Sequence, residues 1–165
     1  MRASVRIELT NQAGEVIAER YAENAVMRAG AQLIADLFAG RGVPITHMGV
    51  GTSDAPETEA YATLTLTNDP SEMLQGGTEA PIPPEAFFPA EVEESRRLVR
   101  LRVRGTLPSA AAVGTVREAG LLARQGDTAV LYNRVTFTPI LKGEDHELTM
   151  FWEVTFPYGD LQWIM

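Results

Sequence analysis

Five apolar residues occupy alternate positions near the end of the sequence: Leu148, Met150, Trp152, Val154 and Phe156. Successive side chains of a strand point to opposite faces, so this run predicts a strand from Glu147 to Phe156 with one wholly apolar face. That face must be covered, and the strand's backbone needs partners on its edges. The rest of the chain supplies candidates. Val5, Ile7 and Leu9 alternate with Ser4, Arg6 and Glu8. Between Arg97 and Arg104, Val99, Leu101 and Val103 alternate with Arg100, Arg102 and Arg104. Further strands are expected at Thr115 to Arg124 and at Ala129 to Phe137. Asn11-Gln12-Ala13-Gly14 is turn chemistry that lets Glu15 to Tyr21 return as the second strand of a hairpin. Gln125-Gly126-Asp127 and Lys142-Gly143-Glu144-Asp145 supply two more turns.

One segment has helical period instead. Asn24 suits an N-cap, Val26, Leu33, Ile34, Leu37 and Phe38 follow at helical spacing, and Gly40 stands where a left-handed cap would close the helix. The spacing predicts a helix from Ala25 to Ala39. Its small residues, Ala29, Gly30, Ala31 and Ala35, permit close approach to a sheet. A short strand from His47 to Gly51 should follow, ending in a Gly-Thr-Ser-Asp turn. Many antiparallel strands and one helix predict a mainly β, antiparallel fold: a β-sandwich with one packed α-helix, or an α+β arrangement. No internal repeat is present, and residues 1–165 read as a single domain.

Composition narrows the function classes. Of 165 residues, 45% are hydrophobic, enough for a core. Fourteen bases against 22 acids leave a net charge of −8, which argues against binding a phosphate backbone. No cysteine is present, excluding disulfides, thiol catalysis and thiolate metal sites. No apolar run approaches the ~20 residues of a membrane span. The opening MRASVRIELT lacks the apolar core of a signal peptide. A soluble chain made in the cytoplasm, without nucleic-acid or membrane partners, is the expectation.

Residues 52–94 differ in kind. They hold ten acids, no bases and six of the ten prolines, Pro56, Pro70, Pro81, Pro83, Pro84 and Pro89. Short strands near Ala62 to Thr67 are expected to interrupt this arm. From Ser95 to Leu141, eight arginines face two acids, a net of +6. Arg100, Arg102 and Arg104 form one polar face of a single strand, so an acidic arm has a basic patch to meet. Opposite patches on one chain can meet within a subunit or between identical subunits around a ring, and the second arrangement is expected here. The prolines keep the arm extended. Phe87 and Phe88 within it, and Tyr158 and Trp163 near the end of the sequence, are candidate anchors on a neighbouring subunit, because aromatics dominate interface hot spots.

Catalytic chemistry finds little footing. Gly49-Val50-Gly51-Thr52-Ser53 lacks the Walker spacing and its lysine, and no G-x-G-x-x-G occurs. His47 and His146 are far apart in sequence and read as surface histidines rather than metal ligands. The carboxylates at Glu144, Asp145 and Glu147, and at Glu91, Glu93 and Glu94, read as solvated turns rather than a glycosidase pair. No G-x-S-x-G elbow is present. No catalytic residue, cofactor or metal is expected.

The ordered set NAVMRAGAQLIADLFAG (Asn24 to Gly40), ITHMGVGTSDAP (Ile45 to Pro56), VREAGLLAR (Val116 to Arg124), LYNRVTFTPILK (Leu131 to Lys142) and LTMFWEVTF (Leu148 to Phe156) resembles a family of short bacteriophage tail structural proteins related to tail-fibre and baseplate segments. Ser53 stands where that turn carries a second glycine. The resemblance implies a non-enzymatic, oligomeric component of a virion, made in the host cytoplasm, whose partners are copies of itself and other virion structural proteins. A capsid decoration protein is the alternative within that class. A carbohydrate-binding β-sandwich module is the alternative outside it, and the missing secretion signal favours the virion.

Overall fold

The structure, a computed structural model, describes residues 2–159. Its elements are β1 (Arg2–Thr10), β2 (Val16–Val26), α1 (Arg28–Phe38), β3 (His47–Gly51), β4 (Glu79–Pro81), β5 (Glu91–Glu93), β6 (Leu98–Leu107), β7 (Gly114–Gln125), β8 (Thr128–Leu131), β9 (Asn133–Lys142) and β10 (Glu147–Pro157). Every pairing is antiparallel, in the order β4-β3-β7-β9-β2-β1-β10-β6-β5, with β8 paired to β7. The fold is mainly β with one packed helix, as the alternation predicts. In place of two sheets stacked face to face, the strands form one continuous sheet that curls into a half-barrel. The reason lies in β2. It runs past Tyr21 to Val26, where Ala25 pairs with Arg134 and Val26 with Asn133 of β9, and this narrow seam joins the two halves.

The apolar face of β10 lies inward as expected. Leu148, Met150, Trp152 and Val154 are buried, Trp152 to 1% exposure. Trp152 sits in register between Val5 of β1 and Val103 of β6. The β1–β2 hairpin closes as predicted: the Asn11 side-chain carbonyl accepts from the backbone N–H groups of Ala13 and Glu15, and Gly14 takes φ +79°.

The helix is shorter than its period predicts. Asn24 is no cap; it pairs with Ala3 inside β2. Sheet pairing wins over local capping up to Val26, and α1 starts after Met27 without any side-chain cap. Backbone carbonyls take over that role, with Met27 N–H donating to Tyr132 and Arg28 N–H to Tyr61. The other end behaves as predicted. Gly40, at φ +75°, donates to the Leu37 carbonyl while Arg41 N–H reaches back to Asp36, a Schellman closure. Gly30 is buried against the Tyr132 backbone, so closely that a Cβ there would overlap the carbonyl. The small-residue face does bring the helix onto the sheet.

Two further expectations need correction. The single strand from Ala129 to Phe137 is broken at Tyr132 into β8 and β9. Opposite the break, Gly120 leaves no room for a side chain, and the Asn133 carboxamide oxygen takes the Leu121 N–H at 2.7 Å. No strand forms at 62–67; Thr67 is instead held to the end of β3, its carbonyl accepting from Thr52 N–H at 2.8 Å.

Candidate functional site

The acidic arm is built into its own subunit. Asp69 caps a 3-10 turn at Pro70–Glu72 by accepting from Ser71 N–H, which holds its carboxyl below the usual carboxylate range. The Asn68 side chain accepts from Leu74 N–H at 2.8 Å, and Leu74 is buried. β4 then pairs with β3 at one end of the sheet, and Ile82 N–H donates to Thr46. A second 3-10 turn at Pro84–Ala86 carries the chain across the mouth of the half-barrel. On the far side Phe87 bridges to Val103, Phe88 N–H donates to Arg102, and β5 pairs with β6 at the opposite end. One short stretch therefore staples both ends of the curled sheet together.

The charges follow the same path, and four of the arm's acids pair with arginines of the same chain. Glu72 pairs with Arg117 at 2.9 Å, and Glu79 holds Arg124 through two bonds of 2.7 Å. Glu93 binds both Arg96 and Arg100, and Glu91 lies 4.0 Å from Arg102. The Arg96 hydrogen bond, with Arg100 assisting, pulls the Glu93 carboxyl below its ordinary 4.5. The Glu79 carboxylate raises Arg124 in turn.

Behind the arm lies a buried ionic junction that the residue pattern alone did not single out. Glu118 on β7 is 1% exposed and Arg134 on β9 is 6% exposed. The Glu118 carboxylate accepts from Arg134 Nε at 2.6 Å and from Thr67 N–H at 2.7 Å. Arg134 also donates to the Ala55 carbonyl at 2.8 Å and lies 3.8 Å from Glu57. Gly51 makes room for this. A Cβ there would overlap the Glu118 carboxylate and sit 2.6 Å from the Thr67 carbonyl. Gly51, Glu118 and Arg134 come from three separate segments of the chain.

Between helix, arm and sheet the structure leaves an open apolar cleft of about 590 Å³. Ile34 of α1, Ile82 and Phe87 of the arm, Leu101 of β6, and Val154 and Phe156 of β10 form its walls. Tyr132 also lines it, and burial pushes that phenol up to about 12. A surface of this kind holds apolar groups; it offers no charged side chain to a polar reactant.

The predicted interface residues separate. Phe87 faces the cleft and packs on the core, whereas Phe88 is half-exposed on the outer face of the sheet. There Arg100 and Arg102 both pair with Glu153, at 3.4 and 3.6 Å. Arg104 lies 5.9 Å from the Phe151 ring, and Arg6 stacks on the same ring at 4.3 Å. Cross-strand register places Tyr21, Arg6, Phe151 and Arg104 in one row. Tyr158 is partly exposed and its N–H donates to Arg97. Trp163 lies outside the described residues.

The histidines do not converge with other ligands. His47 sits half-buried in β3 with Nδ1 2.8 Å from the Thr46 hydroxyl, and His146 Nδ1 accepts the Gly143 N–H within the β9–β10 turn. No group of three or more His, Cys, Asp or Glu able to hold a metal occurs among the described residues, and none of their helices is long and apolar enough to cross a membrane. Comparison with protein-family models, with curated proteins and with solved structures finds no match in any of the three.

Proposed function

We propose that this chain is a non-enzymatic structural component of a bacteriophage particle, a tail building block of fibre or baseplate type that works as one of several identical copies. One observation carries the reading. Three of the five sequence pieces that resemble phage tail proteins meet at one buried point, where Gly51 admits the Glu118 carboxylate and Glu118 holds Arg134. A motif set with a shared structural purpose is more specific than its pieces. The arm that ties the sheet's two ends together supports the same reading, since a particle component must keep its shape under load. The outer row of Tyr21, Arg6, Phe151 and Arg104 offers aromatic and guanidinium groups for contact with neighbouring copies.

Mass spectrometry of density-purified particles from a lysate of the encoding phage or host tests this. The chain should be present at multiple copies per particle and should remain with tails after heads and tails are separated. Its presence with heads alone would assign it to capsid decoration. Its absence from particles would overturn the proposal, and specific retention on a glycan array would then favour a carbohydrate-binding module.

A further inference from the structure

We infer that the chain pairs with a second copy across a two-fold axis, the Phe38 ring of each copy entering the apolar cleft of the other. The helix supplies the first observation. Leu33, Ile34, Leu37 and Phe38 make one apolar stripe at helical spacing. Leu33 is buried, and Ile34 and Leu37 line the cleft. Phe38 continues the stripe one turn beyond Ile34, yet it is 96% exposed. The stripe outruns its own subunit. Residues 37–42 are all exposed, and no atom lies within 4 Å of where a Gly40 side chain would begin, so this end of the helix stands clear of the sheet.

The cleft supplies the second observation. At about 590 Å³ it has room for a phenyl ring, and among the described residues no charged side chain lines it. Exposed apolar surface of this kind marks a contact site. A second copy is selected as the occupant because the protruding ring and its socket share one rim: Leu37 is a wall of the socket and Phe38 is the next residue. Two copies facing each other therefore make the same contact twice, which is the self-complementarity a two-fold interface requires. Any other partner would need both a ring and a socket of its own. At a net charge of −8 two copies repel at long range, but the cleft walls that meet the ring carry no charge. The inference deepens the proposed function and rests only on its identical copies; the pure chain in solution tests it, separately from the particle assignment.

Sedimentation equilibrium over a concentration series should show a monomer–dimer equilibrium. Phe38→Ser should weaken it by about tenfold or more, since a buried aromatic anchor is lost twice per dimer, whereas Phe38→Leu should stay within a few-fold of the parent. Raising the salt should tighten the dimer, because it screens the repulsion between acidic copies and leaves the apolar contact intact. At dilutions where both are monomeric, Phe38→Ser should melt with the parent. The chain has no cysteine, so placed thiols can be linked selectively. Copies carrying Phe38→Cys, mixed with copies carrying Leu101→Cys on the cleft wall, should be joined by a short bismaleimide. A mixture with Val16→Cys copies, whose thiol lies on β2, should not. A monomer throughout the series, a dimer untouched by Phe38→Ser, or a dimer loosened by salt would overturn the inference. So would a fall in the monomer's midpoint on Phe38→Ser, which would place the ring against its own subunit. Equal linking in both mixtures, or none in either, would overturn it too.

Discussion

The Glu118 carboxylate and the Arg134 guanidinium meet at 2.6 Å, both almost wholly buried, on neighbouring strands of the half-barrel. Each satisfies backbone groups of the 52–67 loop as well as the other. Removing one partner of such a pair leaves an uncompensated buried charge, which costs about 3–5 kcal/mol. Glu118→Ala should therefore lose that much in urea unfolding at neutral pH. Gly51→Ala should also destabilise, because its methyl group would take space now held by the Glu118 carboxylate and the Thr67 carbonyl. A loss under 1 kcal/mol from Glu118→Ala would mean the pair is not buried as described.

Trp152 is enclosed between Val5 and Val103 at the centre of the sheet. Truncating a buried tryptophan costs about 3–5 kcal/mol, counting lost transfer energy and the cavity left behind. Trp152→Ala should fall sharply in thermal midpoint or fail to accumulate in soluble form. A midpoint within a degree or two of the parent would contradict the facing of β10.

Glu93 ties β5 to β6 through Arg96 and Arg100, and its folded carboxyl titrates below 4.5. A carboxyl whose pKa falls on folding contributes stability that is fully present above its unfolded value and is lost as pH drops through the folded one. Glu93→Gln should therefore melt below the parent at pH 6, and the gap should shrink progressively as pH falls beneath 4.5. A gap that does not change with pH as the carboxyl is protonated would show that the ion pair plays no part.

The arm from Gly76 to Pro89 carries Ala80 and Ile82, both buried, and Phe87, which packs on the core. Deleting it exposes the cleft and cuts the link between the sheet's two ends. The deletion variant should lose its cooperative thermal transition. A variant that still melts cooperatively near the parent's midpoint would show that the arm is dispensable to its own subunit.

How legible this fold is in the sequence depends on the length of each pattern. β1 and β10 announce themselves because alternation over nine or more residues has no competing reading. The end of α1 is equally plain, since Gly40 fits the left-handed closure that follows Leu37 and Phe38. Its start is not: Asn24 suits a cap and a strand end alike, and only the distant partners Ala3 and Arg134 decide in favour of the strand. β4 and β5, at three residues each, are too short to show any period, and tertiary pairing alone creates them. That is why the arm reads as a free acidic segment although it staples the sheet. Its carboxylates and the arginines that hold them are visible as two charge blocks, but sequence does not say whether blocks meet within a chain or across a boundary. Glu118 and Arg134 stay hidden for a related reason: nothing in sequence sets them apart from neighbouring charges such as Arg117, and only the β7–β9 pairing brings them together.

The acidic arm pairs with both ends of its own subunit's sheet, through β4 on β3 and β5 on β6. Hydrogen–deuterium exchange of the full-length chain, followed by mass spectrometry at several protein concentrations, tests it most directly. Peptides covering residues 79–93 should be protected to a degree comparable with β6, and that protection should not change on dilution to monomer. Exchange of those peptides at the rate of a free chain, or protection that disappears on dilution, would contradict the account.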